Sequence, residues 1–104
     1  MKRTSKVPDV LKKVRECVEE GRYYDTSHAT LRKRERQISL THVLHILHYG
    51  YHEKRKDQYS PEHGDWTYAI RGKTVDERGI RIVVAFDEDD MLIITVVEVT
   101  RETK

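Results

Sequence analysis

The run Trp66-Thr67-Tyr68-Ala69-Ile70-Arg71-Gly72-Lys73-Thr74-Val75, with Ile80-Arg81-Ile82-Val83-Val84-Ala85-Phe86 and Met91-Leu92-Ile93-Ile94-Thr95-Val96-Val97-Glu98-Val99 behind it, decides the fold. In the first segment Trp66, Tyr68 and Ile70 alternate against Arg71 and Lys73. In the second, Ile80, Ile82, Val84 and Phe86 alternate with Arg81, Val83 and Ala85. A period of two puts successive side chains on opposite faces, so both segments read as strands. The third is apolar on both faces, which marks a central strand. Asp76-Glu77-Arg78-Gly79 and Asp87-Glu88-Asp89-Asp90 are short enough to be hairpin loops, and consecutive hairpins make an antiparallel meander. Ser60-Pro61-Glu62-His63-Gly64-Asp65 is turn chemistry. The polar stretch from Tyr51 to Tyr59 ahead of it suits an edge strand, where lysines discourage association with other sheets.

Upstream the period lengthens. Val7, Val10, Leu11, Val14, Cys17 and Val18 recur at three- and four-residue steps, which predicts a helix from about Pro8 to Glu20, closed by Gly21. Arg22 to Thr26 reads as a short extended segment with two tyrosines. A second helix starts near Thr26 or Ser27 and runs to about Arg36. It is poorly amphipathic, with Ala29 and Leu31 set among Arg32, Lys33, Arg34 and Arg36. A third begins at Ser39, carries Ile38 and Val43 at staple spacing and Leu40, Val43, Leu44 and Leu47 as its buried stripe, and ends at Gly50. The expected fold is α+β: three N-terminal helices packed on a three- to four-stranded antiparallel β-meander. With 104 residues and neither repeat nor linker, residues 1–104 form one domain.

Composition excludes several classes. No run approaches the ~20 apolar residues that span a bilayer, and no apolar segment follows the basic start to make a secretory signal. The expected location is cytoplasmic. One cysteine, Cys17, makes neither an internal disulfide nor a cysteine zinc site, and on its apolar stripe it reads as inert core. The net charge of +2 is unevenly spread: residues 1–60 carry 14 Lys/Arg against 8 Asp/Glu, and residues 61–104 carry 6 against 10. Such a pole attracts phosphate-rich partners, although a solvated charged surface has the same composition.

His28, Arg32 and Arg36 fall at four-residue steps on one face of the second helix. An imidazole beside guanidiniums suits phosphodiester cleavage, because arginine holds and neutralises phosphate while histidine moves a proton near neutral pH. A solvated helix face gives the same spacing. Arg81 interrupts an apolar strand, and a register that keeps Tyr68, Ile70 and Ile82 together sets it near Arg71 and Lys73, a three-cation patch. The alternatives for Arg81 are extension to solvent or a pair with Glu98. His42, His45 and His48 succeed one another at three-residue steps, with His52 beyond. Each step turns back about 60°, so the rings spread instead of converging on one ion, and no metal or other cofactor is expected. Nucleotide-binding loops and acyl-transfer motifs are absent from the sequence.

The run Thr26-Ser27-His28-Ala29, with Arg32, Arg36, Ile38-Ser39, Val43, Leu47 and Gly50, and the closing Ile93-Ile94-Thr95-Val96, resembles an uncharacterised prokaryotic family with a T-x-H-A-x-x-R-x-x-x-R-x-I-S signature. The likeness covers about residues 22–99 and leaves 1–21 as a helical extension. That family is similar to the RelE, BrnT and MqsR toxins, small endoribonucleases of toxin–antitoxin modules with a barnase-like fold. By this resemblance Arg81 stands where a catalytic lysine is expected, and Ile70 stands where MqsR-like chains have a tyrosine, with Tyr68 two residues away. It implies a metal-independent endoribonuclease acting on mRNA, restrained by a cognate antitoxin protein. His28, Arg32, Arg36 and Arg81 would be catalytic, and Arg71, Lys73, Tyr68 and Trp66 would bind RNA, with Tyr68 or Trp66 stacking on a base. The alternatives are a non-catalytic RNA- or protein-binding module on the same basic surface, and a purely structural domain.

Overall fold

The computed structural model describes residues 5–62, 64–74 and 76–99, the side chains of Ser27, His28, Arg32 and Arg36 excepted. Along the described chain the elements are α1 (Val10–Glu20), β1 (Tyr23–Asp25), α2 (Ser27–Arg36), α3 (Leu40–Tyr49), β2 (Tyr51–His52), a single 3-10 turn (Lys54–Lys56), β3 (Gln58–Ser60), β4 (Asp65–Lys73), β5 (Gly79–Asp87) and β6 (Asp90–Glu98). The alternating segments form the expected antiparallel pairs, with Ile70 opposite Ile82 and Ile82 opposite Val96. Three strand expectations are corrected. The short segment after α1 joins the sheet as β1, parallel to β6, so the sheet is mixed and runs β1-β6-β5-β4-β2, with β3 also on β4. The expected edge strand from Tyr51 to Tyr59 is broken into β2, the 3-10 turn and β3. The strand expected to reach Val75 ends at Lys73, and both Val75 and His63 lie outside the described residues.

Local chemistry sets the helix ends. Asp9 accepts from the Lys12 N–H and starts α1 two residues after Pro8, and Gly21, at φ 71°, closes it in the left-handed region where glycine is unstrained. Thr26 caps α2 by accepting from the Ala29 N–H, and its hydroxyl donates to the Ile93 carbonyl, so one side chain fixes the helix start against β6. Ser39 and His42 form a reciprocal capping box on α3, with buried Ile38 and Val43 as its staple. The buried stripe of α3 is Val43, Ile46 and Leu47, while Leu40 is exposed. The helix is rotated so that Ile46 takes the inner position expected of Leu40.

One face of the sheet carries Tyr68, Ile70, Ile80, Ile82, Val84, Met91, Ile93 and Val96 into the core, where Val10, Val14, Cys17, Ala29, Val43 and Leu47 meet them. Burying these side chains is the main stabilising term. In α2, Ala29 is buried, and Lys33 also turns inward, its ammonium on the Asp25 carboxylate of β1. A charged residue therefore completes the apolar stripe that this helix lacks. A β-bulge opposite Val83 and Val84 inserts Ile94 between Ile93 and Thr95. Ile93 and Val96 stay in the core, and Ile94 and Thr95 both turn to the opposite, open face. Among the described residues no helix is long and apolar enough to cross a membrane.

Candidate functional site

The open face is built from the other half of the alternation. Along β5 it carries Gly79, Arg81, Val83, Ala85 and Asp87, and along β4 Asp65, Thr67, Ala69, Arg71 and Lys73. Arg71 and Arg81 are directly opposed across the two strands. Between them and β2 stands Glu53, whose N–H donates to the Ala69 carbonyl, so its side chain falls on the same face. Arg81 donates from Nε (2.8 Å) and Nη2 (3.1 Å) to the two carboxylate oxygens of Glu53, and Arg71 donates from Nη1 at 3.3 Å. Glu53 is 7% exposed. The hydrogen bond from Arg81, followed by the charges of both arginines, holds its carboxyl below the usual carboxylate range against the opposing effect of burial. The cross-strand register expected for Arg81 and Arg71 is thus present. Among the described residues a carboxylate that meets both is Glu53, and the strand register sets Glu98 opposite Ile80.

On one side of this cluster the open face dips into a groove of about 720 Å³, lined by Thr67, Val83, Ala85, Leu92, Ile94 and Thr95 with β3 as one wall. On the other side lies a smaller pocket of about 260 Å³, lined by Tyr51, Arg71, Gly72, Lys73 and Gly79. The order along β5 is pocket at Gly79, guanidinium at Arg81, groove from Val83, in steps of about 6.7 Å between residues sharing a face.

Tyr68 is 2% exposed in the core, with its hydroxyl accepting from the Val7 N–H at 2.9 Å and its pKa raised chiefly by burial. It cannot offer a ring face to a base, which corrects that expectation. Trp66 borders the groove, edge-on to Tyr59, with the Lys6 ammonium 5.0 Å from its ring centroid. Lys73 is exposed at the end of β4. The side chains of His28, Arg32 and Arg36 lie outside the described residues. Their helix packs on β6 and sends Ala29 into the core, away from Arg81. Its N-terminus is nevertheless tied to the groove wall, because the Thr26 hydroxyl also reaches the carbonyl of Ile94.

The other histidines separate. His42 serves the α3 cap, His45 and His48 pack on Tyr49, and His52 Nε2 lies 2.8 Å from Asp57. Asp57 is enclosed; it also accepts from Lys6 (2.7 Å) and from the Ala69 N–H (3.2 Å), and so closes the β4 edge where β2 gives way to β3. Among the described residues no group of three or more His, Cys, Asp or Glu is placed to hold a metal ion. Cys17 is buried, its thiol facing the Asp89 carbonyl, and burial raises its pKa.

Glu53 and Tyr51 are not among the site residues expected from the sequence. The available signal was an acid immediately before Lys54-Arg55-Lys56, in a stretch otherwise read as a solvated edge. A family model described as Domain of unknown function (DUF4258) matches residues 26–98, from the α2 cap to the end of β6. Searches of curated proteins and of solved structures return no match.

Proposed function

The chain belongs to the DUF4258 family, and from the open face that the matched residues build we propose that it is a toxin-like, metal-independent endoribonuclease restrained by an antitoxin protein. The observation that supports this is the position of the opposed Arg71 and Arg81, between an apolar groove and a smaller pocket on one sheet face. A phosphodiester at the arginines would leave room for a base on either side. Their hold on a carboxylate is the geometry that guanidinium also offers to phosphate. In the reaction the ribose 2′-oxygen attacks the adjacent phosphorus and gives its proton to a base. The bond from phosphorus to the 5′-oxygen breaks, and that oxygen takes up a proton. Guanidiniums of Arg71 and Arg81 neutralise the charge that develops. His28, two residues beyond the cap tied to Ile94, is the candidate proton carrier. Arg32 and Arg36, on the following turns, are candidates for holding phosphate.

The test uses the purified full chain on unmodified RNA in the presence of a chelator. Products ending in 2′,3′-cyclic phosphate and 5′-hydroxyl are expected, with His28→Ala slowing cleavage about 100-fold or more. Cleavage at the wild-type rate by a folded His28→Ala variant removes His28 from the mechanism, and intact RNA removes the nuclease reading. A second reading, a non-catalytic RNA- or protein-binding module, is favoured by the engagement of both arginines with Glu53. It predicts salt-sensitive binding without product.

A further inference from the structure

Tyr51, on β2, is 55% exposed, and among the described residues no aromatic ring packs on it. It stands opposite Arg71 on the open face and forms one side of the 260 Å³ pocket. The room arises locally. β2 ends after two residues, Gly79 brings no side chain to the open face, and Gly72 lends only its backbone because its own Cβ position faces Ile46 of α3, so the surface beyond Arg71 is left with a phenol ring on one side and the exposed Lys73 on the other. The volume falls below the roughly 300–1,000 Å³ of pockets that enclose drug-sized ligands, and suits one planar ring. Farther along the same edge of β4, the 3-10 turn presents Lys54, Arg55 and Lys56, all exposed. The nearby acid Asp76 is engaged by Thr74 and Arg78. An exposed aromatic ring in a row of cations is the arrangement that binds single-stranded nucleic acid, the ring stacking on a base and the cations tracking phosphates. A peptide added as a further strand would need a longer edge than the two residues of β2.

We propose that the Tyr51 pocket is a nucleobase subsite: the base on one side of the phosphate at Arg71 stacks on the Tyr51 ring, and Lys73 meets the next phosphate. This rests on RNA being the ligand, as in the function proposed above, but not on cleavage.

The experiment measures binding of a labelled, uncleavable 2′-O-methyl hexanucleotide to the full chain at fixed salt, beside the same backbone carrying abasic positions. Tyr51→Ala is expected to weaken the base-bearing oligomer about tenfold and leave the abasic one unchanged, whereas Tyr51→Phe stays within about twofold of wild type. Lys73→Ala should weaken both and lower the salt slope by about one. Equal affinity of wild type and Tyr51→Ala for the base-bearing oligomer, or an equal loss on the abasic one, overturns the subsite. Running unmodified RNA alongside separates the two ideas. Tyr51-dependent binding without cleavage supports the subsite and sinks the nuclease, cleavage with Tyr51-independent binding does the reverse, and no binding of any oligomer overturns both.

Discussion

Replacing Glu53 by Gln tests the centre of the open face through stability alone. The substitution keeps the shape and removes the charge that accepts from Arg81 at 2.8 and 3.1 Å and from Arg71 at 3.3 Å. Removing one partner of a fully buried ion pair costs roughly 3–5 kcal/mol. Here the Arg81 and Arg71 side chains are 13% and 24% exposed, so water recovers part of the loss and about 2–3 kcal/mol remains at pH 7. For a domain of this length that lowers Tm by on the order of 10 °C. The pH dependence has a definite sign. Because the folded carboxyl is held below its unfolded value, chiefly by the Arg81 hydrogen bond, its stabilisation is fully present above the unfolded pKa of about 4.3 and is lost as pH falls through the folded one. Urea unfolding of wild type and Glu53→Gln at pH 7, 5, 4 and 3 should therefore show a gap that is constant at the two upper values and narrows at the lower ones. A gap of the same size at pH 3 and pH 7, or a variant as stable as wild type at pH 7, refutes the assignment of Glu53 as the charged hub of the two arginines.

Two further substitutions probe how β4 is held in place. Gly50→Ala would set a Cβ 2.5 Å from the Arg71 carbonyl oxygen and 2.6 Å from that of Ile46, backbone atoms that cannot swing aside, so a loss of about 2 kcal/mol or more is expected in thermal melts; an unchanged Tm rules out that close approach. Asp57→Ala removes the acceptor shared by His52, Lys6 and the Ala69 N–H, costing about 2 kcal/mol. Hydrogen exchange at the Ala69 amide should then accelerate more than at its neighbours, and uniform exchange across β4 contradicts the capping role.

Two of the strands, β4 and β5, were legible with their hairpin and buried side because period-two alternation is a local property, whereas β6 was legible only as a run apolar on both faces, and its bulge hides which side is buried. Helix ends were legible for the same reason: Ser39 and Gly21 act on neighbours within a few residues. What escaped is non-local. Nothing inside Tyr23-Tyr24-Asp25 says that it pairs in parallel with Met91–Ile93, a partner more than sixty residues away, so a mixed sheet read as a meander. The inward turn of Lys33 depends on the same pairing, since it brings Asp25 within reach. The rotation of α3 that exchanges Leu40 for Ile46 is set by packing against the sheet, for which both stripes are apolar enough.

For the candidate site the division is similar. Alternation placed Arg71 and Arg81 on one face, because both belong to strands joined by a short hairpin that fixes their register. It also placed Tyr68 with Ile70 and Ile82, a position that already implied burial and argued against a stacking role. Glu53 and Tyr51 belong to an interrupted edge, and no period connects them to β4. They reach Arg71 because β2 is pinned by a two-residue register, the chain turns through Lys54–Lys56, and Asp57 fastens the far side to the Ala69 amide. The acid that engages the arginines and the ring that flanks them are therefore placed by one fastening of the β4 edge. Weakening that edge at Asp57 should loosen the pocket at Tyr51 without touching a residue that lines it.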